Sequence, residues 1–252
     1  MAITSNGMVT LSDLRNEYVA ASGPVSMSQL NRGGGYVPLG GSRNTAIPTS
    51  DSNLSFSKYR NTSKTVSVTY EIIGGGGGGG FGVDDEGEGN RGTYAGSGGA
   101  STLSVNSTGS WVAQITASGG RGGENCGRSR GANGGTGAVS AYGSGGSGGS
   151  LNSNGSSASS ANYGAGGGGA GGDKGSTYDS GGCAGSGGSA SEQQTGTLTL
   201  EYDTSIRLSV GSRGLGGNST YDGGRGAGGY AKATWDGKVN SLTSSSADYL
   251  IN

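Results

Sequence analysis

A chain of 252 residues without a single histidine lacks the commonest general base, and with it the Ser-His and Cys-His pairs of nucleophilic catalysis. Hydrolysis would then have to rest on paired carboxylates. The densest acidic group is Asp84, Asp85, Glu86 and Glu88. Such oxygens suit Ca²⁺, but they lack the alternating spacing of a dedicated calcium loop and read first as a solvated tip. Cys126 and Cys183 lie in glycine-rich surroundings and, without histidine, cannot complete a standard zinc site. They are expected as free thiols, with pairing open for a particle released into an oxidising medium. The many Gly-x-Gly-x-x-Gly matches follow from composition, and none opens a helix within a βαβ unit. These residues predict a protein that is not an enzyme and takes no cofactor.

Binding chemistry is better represented. Tyr94, Tyr142, Tyr163, Tyr178 and Tyr221 each stand singly among Gly, Ser, Asn and Asp. That mixture matches antibody binding loops, where tyrosine supplies rigid contact area and small polar residues supply adaptable hydrogen bonds. These five are the receptor-binding candidates. The alternative is that each ring lids a glycine layer.

The elements that must position them alternate between strands and glycine. Residues 74–80 are seven consecutive glycines, entered from a run, 65–73, with Val66, Val68, Tyr70 and Ile72 on one face, the period of a half-buried strand. Further strands are predicted at 101–105, 111–117, 137–142, 197–202, 205–211 and 229–235. The runs 197–202 and 205–210, separated only by Asp203 and Thr204, predict an antiparallel hairpin.

Gly 61 and Ser 41 together make 102 of the 252 residues, and hydrophobic residues only 29%, so any side-chain core is thin. Ordering glycine costs more backbone entropy than ordering any other residue. Either the glycine runs are disordered loops on a strand scaffold, or they form polyproline II helices that pack backbone to backbone and bond through N–H, C=O and Cα–H groups. The second reading predicts ordered segments near 74–80 and 164–172. It gives a mainly β fold: an antiparallel β-sandwich with packed, polyglycine II-like segments over residues 65–236, and residues 237–252 as a C-terminal tail.

Residues 1–64 hold all three prolines and a triple repeat: Thr10-Leu-Ser-Asp-Leu-Arg-Asn16, Ser26-Met-Ser-Gln-Leu-Asn-Arg32 and Ser55-Phe-Ser-Lys-Tyr-Arg-Asn61. Each copy offers a Ser or Thr cap to one short helical turn, and Thr10 with Asp13 has capping-box spacing. Elements this small are expected to lean on a partner, which makes Leu14, Leu30 and Tyr59 docking candidates. Folding over the chain's own next domain is the alternative.

The strand running into polyglycine at 70–80, the segment Arg207-Leu-Ser-Val-Gly-Ser-Arg-Gly-Leu-Gly-Gly217 and the closing Gly226-Ala-Gly-Gly-Tyr-Ala-Lys-Ala-Thr-Trp235 resemble the glycine-rich domains of bacteriophage tail-fibre proteins. Among them is the tip adhesin of T-even-like phages, in which loops between polyglycine II helices touch the host receptor. The resemblance covers most of 65–236. The long attachment domain of that adhesin has no counterpart in the first 64 residues, whose Ser-rich repeat resembles short modules of phage virion structural proteins.

The resemblance implies a virion tail or fibre protein that docks to other virion proteins through its N-terminal module and presents loops to a bacterial surface protein or polysaccharide. A purely structural fibre, collar or neck decoration is the alternative. An ice-binding polyglycine bundle is disfavoured, because Tyr, Asp, Arg and Lys interrupt the glycine repeat. A formal net charge of −1 without a basic block argues against nucleic acid. The absence of a long apolar run argues against membrane insertion. The first seven residues carry neither part of a signal peptide, so synthesis in the host cytoplasm without secretory export is expected.

Overall fold

Among the described residues, eight strands build two antiparallel sheets: β1 (Thr65–Ile73), β2 (Ser101–Ser107), β3 (Ser110–Ala117), β4 (Gln193–Glu201), β5 (Ser205–Ser209), β6 (Tyr230–Trp235), β7 (Lys238–Leu242) and β8 (Ser246–Leu250). The structure, a computed structural model, describes residues 3, 8–19, 24–51, 54–83, 93–107, 109–124, 133–172 and 184–252. One sheet has the order β4-β1-β6-β7 and the other β3-β2-β5-β8. Alternation sets which face is buried: Val66, Val68 and Ile72 of β1 point inward, while Ser67 and Thr69 are exposed. They meet Leu103, Ile206, Leu208, Ala231, Ala233 and Trp235 in one apolar cluster, the core of a β-sandwich.

Three expectations are corrected. The runs around 197–202 and 205–210 do not form a hairpin. β4 pairs with β1 along its whole length, Thr65 opposite Glu201 and Ile73 opposite Gln193, whereas β5 lies in the other sheet between β2 and β8. Asp203 takes a left-handed conformation, φ 63°, and donates its N–H to Ile251 O at 2.7 Å. The two-residue connection is therefore an arch between sheets. Two apolar faces that oppose each other across a sandwich alternate just as two faces sharing one sheet would.

Residues 137–142 are not a strand. They end a glycine run and turn at Ser140 and Gly143, which exchange backbone bonds of 3.0 and 3.3 Å. Residues 237–252 are not a tail but supply β7 and β8. Asp236 and Gly237, φ 45° and 76°, join Trp235 to its partner Lys238, and two positive-φ residues are what a type I′ hairpin turn requires.

Strands β1, β3 and β5 each continue into a glycine-rich run, β2, β4 and β6 are each entered from one, and a second group, 133–172, adds runs with no strand attached. Gly75 and Gly78 donate to Gly99 and Gly96, Gly76 and Gly79 to Ala227 and Gly224, and Gly77 and Gly80 to Ser189 and Ser186, all at 2.8–3.0 Å. Their carbonyls accept in the same order from Gly120 and Gly123, Gly214 and Gly217, and Gly167 and Ala170, at 2.7–3.0 Å. Each third residue meets the same neighbour, which is the three-residue turn of a polyproline II helix without internal hydrogen bonds. The run 74–80 thus has six neighbours.

The run 164–172 has six as well: 74–80, 133–139, 143–150, 152–158, 184–192 and 221–229. Ten runs therefore form two fused hexagons, centred on 74–80 and 164–172, and residues of both centres are buried throughout.

This lattice explains the composition. At the glycines 74–79 and 166–169 of the two surrounded runs the Cβ direction is occupied by backbone, and only Ala165 and Ala170 carry a side chain there. A Cβ on Gly77 would lie 1.8 Å from Arg121 O, on Gly76 1.9 Å from Ala165 O, and on Gly168 2.0 Å from Ser147 O. Outer runs keep one free face, so one residue in three carries a side chain to solvent: Tyr94, Ser97 and Ala100; Arg121 and Glu124; Ser147 and Ser150. At the junction with the sandwich, buried Ser101 Oγ donates to Ile73 O at 2.6 Å and accepts the Gly211 N–H at 2.8 Å.

Residues 1–64 fold into a module with its own core. α1 (Leu11–Tyr18) has the expected capping box, Asp13 N–H to Thr10 Oγ1 at 3.2 Å and Thr10 N–H to Asp13 Oδ2 at 2.7 Å. The other repeats form α2 (Met27–Leu30) and a 3₁₀ turn, Phe56–Tyr59. The module sits on the sandwich at the end away from the lattice. Gly40 N–H bonds the Asp203 carboxylate at 2.9 Å, Tyr202 N–H bonds Lys64 O at 3.0 Å, and buried Glu17 accepts the Lys64 N–H at 2.9 Å.

Candidate functional site

The order module, sandwich, lattice gives the molecule two poles. At the far end of the lattice lie Val83, Thr93, Glu124, Asn133 and residues 172 and 184. The short turns near 151 and 219 lie at the same end. Polar side chains hold these turns. Asp222 Oδ1 accepts Ser219 N–H at 3.3 Å, Asn154 Oδ1 accepts Asp222 N–H at 2.8 Å, and Asn133 Oδ1 accepts Leu151 N–H at 3.1 Å. Two isolated bridges, Gly82 to Tyr221 and Thr93 to Asn218, stitch the rim. Buried Phe81 and Val83 lie close beneath it. A nine-residue run at about 3.1 Å per residue sets this rim about 28 Å from the sandwich.

The five candidate tyrosines separate. Tyr94 is 76% exposed and belongs to the far end together with half-buried Tyr221. Tyr178 lies outside the described residues, as do Asp84, Asp85, Glu86, Glu88, Cys126 and Cys183. Tyr142 and Tyr163 lie at the opposite end of the lattice, where the turns near 141 and 161 meet β6. Tyr163 stacks on Tyr230, centroids 4.9 Å apart and planes at 17°, and Tyr142 packs edge-on against Tyr163 at 5.3 Å. Burial first, and then the Glu71 carboxylate, push the Tyr142 hydroxyl up to about 12; burial also raises Tyr230. This aromatic clasp fastens the 133–172 layer to the outer face of β1 and β6.

The docking candidates are corrected. Leu14, Leu30 and Tyr59 are 0%, 1% and 1% exposed and belong to the module's own cluster with Tyr18, Val37 and Ile47. The Tyr59 hydroxyl donates to Leu30 O at 2.6 Å, and burial raises it to about 12. Three separate turns converge on one centre, which the sequence read copy by copy does not show. The exposed apolar residues are instead the first of each repeat, Leu11, Met27 and Phe56, at 47%, 46% and 42%, with Met8 at 87% and Leu39 at 62%.

Among the described residues no three His, Cys, Asp or Glu side chains converge on a possible metal position, and no helix is long and apolar enough to cross a membrane. The chain matches no protein-family model, no curated protein and no solved structure.

Proposed function

We propose that this chain is a bacteriophage tail or fibre protein that binds a bacterial surface receptor through the far end of its glycine lattice and docks to the virion through its N-terminal module. The observation that carries this reading is the opposition of the two poles. A module with five exposed large apolar side chains, Met8, Leu11, Met27, Leu39 and Phe56, sits at one end. At the other end, turns held by polar side chains and a bridged rim carry Tyr94 and Tyr221. Exposed apolar residues on a small module suit a permanent partner. Turns at the end of a stiff backbone lattice suit recognition.

The test labels the full-length chain and measures binding to a panel of bacterial cells, beside the Tyr94→Ser/Tyr221→Ser double variant. Expected is binding to a subset of strains, weakened in the variant by roughly 1–4 kcal/mol in total, the usual cost of losing two anchor residues. Immunolabelling of particles should place the protein on the tail. Labelling on the collar or neck with no binding to any cell would replace this reading with that of a structural decoration.

A further inference from the structure

A groove of about 650 Å³ runs along the junction of sandwich and lattice, on the flank of the aromatic clasp. Its walls are the turn that ends in Tyr163, the β7–β8 loop at 243–245, and the start of the run 211–218 with Arg213. We propose that this groove binds an acidic saccharide, with the sugar ring laid on Tyr163 and its carboxylate on Arg213. The volume falls in the range of small-molecule sites, about 300–1,000 Å³.

Three features select the ligand class. The Tyr163 ring is held on one side by its stack on Tyr230 and at its edge by Tyr142, so its orientation is set before a ligand arrives and little entropy is lost on binding. The remaining polar lining is almost entirely hydroxyl: Ser160, Ser212, Thr243 and Ser244 are exposed to the groove. The loop carrying two of them is pinned by Val210 N–H to Ser245 O at 2.9 Å.

Arg213 is the single charged residue of the lining, no carboxylate faces it there, and it makes no ion pair among the described residues. A guanidinium in that position is set for bidentate contact with a carboxylate. Gly211 and Gly228 leave bare backbone in the lining, so a ligand can approach closely. A ligand with a flat apolar face, many hydroxyls and one negative charge is a hexuronate unit of a polysaccharide. The groove lies at the sandwich end, away from Tyr94 and Tyr221, and does not rest on the virion reading.

The test titrates the full-length chain with three hexuronate oligosaccharides that differ in epimer, with their methyl esters, and with inorganic phosphate, by calorimetry and saturation-transfer NMR. At least one acidic oligosaccharide should bind, with its ester about tenfold weaker or more, as expected from losing a charged hydrogen-bonded pair. Arg213→Gln, at an exposed position, should erase the difference between acid and ester. Tyr163→Leu should weaken binding several-fold while Tyr163→Phe retains it, which separates loss of the aromatic plate from loss of the hydroxyl. Failure of all three to bind at millimolar concentration, binding indifferent to Arg213→Gln, or phosphate binding as tightly as the best oligosaccharide would each overturn the proposal.

Discussion

Strand β1 and the run 74–80 are one uninterrupted piece of chain held in two different ways. In the strand, every second side chain enters an apolar core, and Val68 and Ile72 are fully buried. In the run, every residue is buried but there is no side chain to bury, and each residue from 75 to 80 is instead tied by one donated and one accepted bond to two neighbouring runs. A sandwich tolerates a range of side chains because rotamers and volumes can adjust. A lattice of backbones has no such reserve, since the neighbouring atom is a carbonyl already committed to a hydrogen bond. The sandwich is thus graded in its response to substitution, whereas at 74–79 any side chain would meet committed backbone, and the run 164–172 carries only the methyls of Ala165 and Ala170.

The strongest test sets the two ends of this chain against each other. Gly77→Val, and even Gly77→Ala, place a Cβ 1.8 Å from Arg121 O, and no rotamer relieves a clash with backbone. Each should destabilise by about 3 kcal/mol or more, the upper range for forced overpacking. In the sandwich, Leu208→Ala should cost about 2–5 kcal/mol, while Leu208→Met stays below about 1.5 kcal/mol. Urea unfolding of the four variants measures both. A mild Gly77→Ala would show that the runs can slide apart, and the contrast would fail.

A smaller effect is expected from alkaline pH, which reaches the fastenings but not the lattice, because the runs 74–80 and 164–172 contain no ionisable side chain. Tyr59 and Tyr142 both titrate near 12 in the fold, against 10 for the free group. A raised phenol pKa means that the fold favours the neutral form. The stabilisation is complete below pH 10 and is lost as the pH rises through 12. The melting temperature should fall across that window, and Tyr59→Phe and Tyr142→Phe should each flatten the fall. An unchanged slope in the double variant would assign the alkaline loss to other groups, Tyr18 first among them, since burial raises it as well and it adds to the fall above pH 10.

Much of this architecture was legible because strands and glycine runs obey short periods. Val66, Val68 and Ile72 marked β1 by alternation, and seven consecutive glycines entered from a strand marked a packed segment. Partnership was not legible. Leu198 and Leu200 alternate as they would in a hairpin with β5, yet they face β5 across the core. Asp236-Gly237 was a hairpin signal within the sequence, and together with Val239 and Ser241 it could have revealed β7. Of the candidate site, Tyr94 and Tyr221 reached the far pole. Tyr142 and Tyr163 look identical to them in local composition, and only the fold shows that they pack against Tyr230. Leu14, Leu30 and Tyr59 proved buried and the apolar residue three positions earlier in each repeat exposed, because burial there depends on three turns meeting.

The smallest expected effect tests whether the glycine pattern itself is understood. Ser147 lies on the outward column of the run 143–150, exposed to solvent, and its neighbours Gly146 and Gly149 are buried. A Cβ at those two positions would meet Ser156 O at 1.8 Å and Ser153 O at 2.2 Å. Ser147→Leu should therefore change stability by no more than about 0.5 kcal/mol, as at other surface positions. Gly146→Ser, a chemically smaller change one residue away, should unfold the layer. If both are tolerated, the run 143–150 is not locked by its neighbours. If both are damaging, its outward column is not free, and the rule that one residue in three faces solvent fails for the outer ring of the lattice.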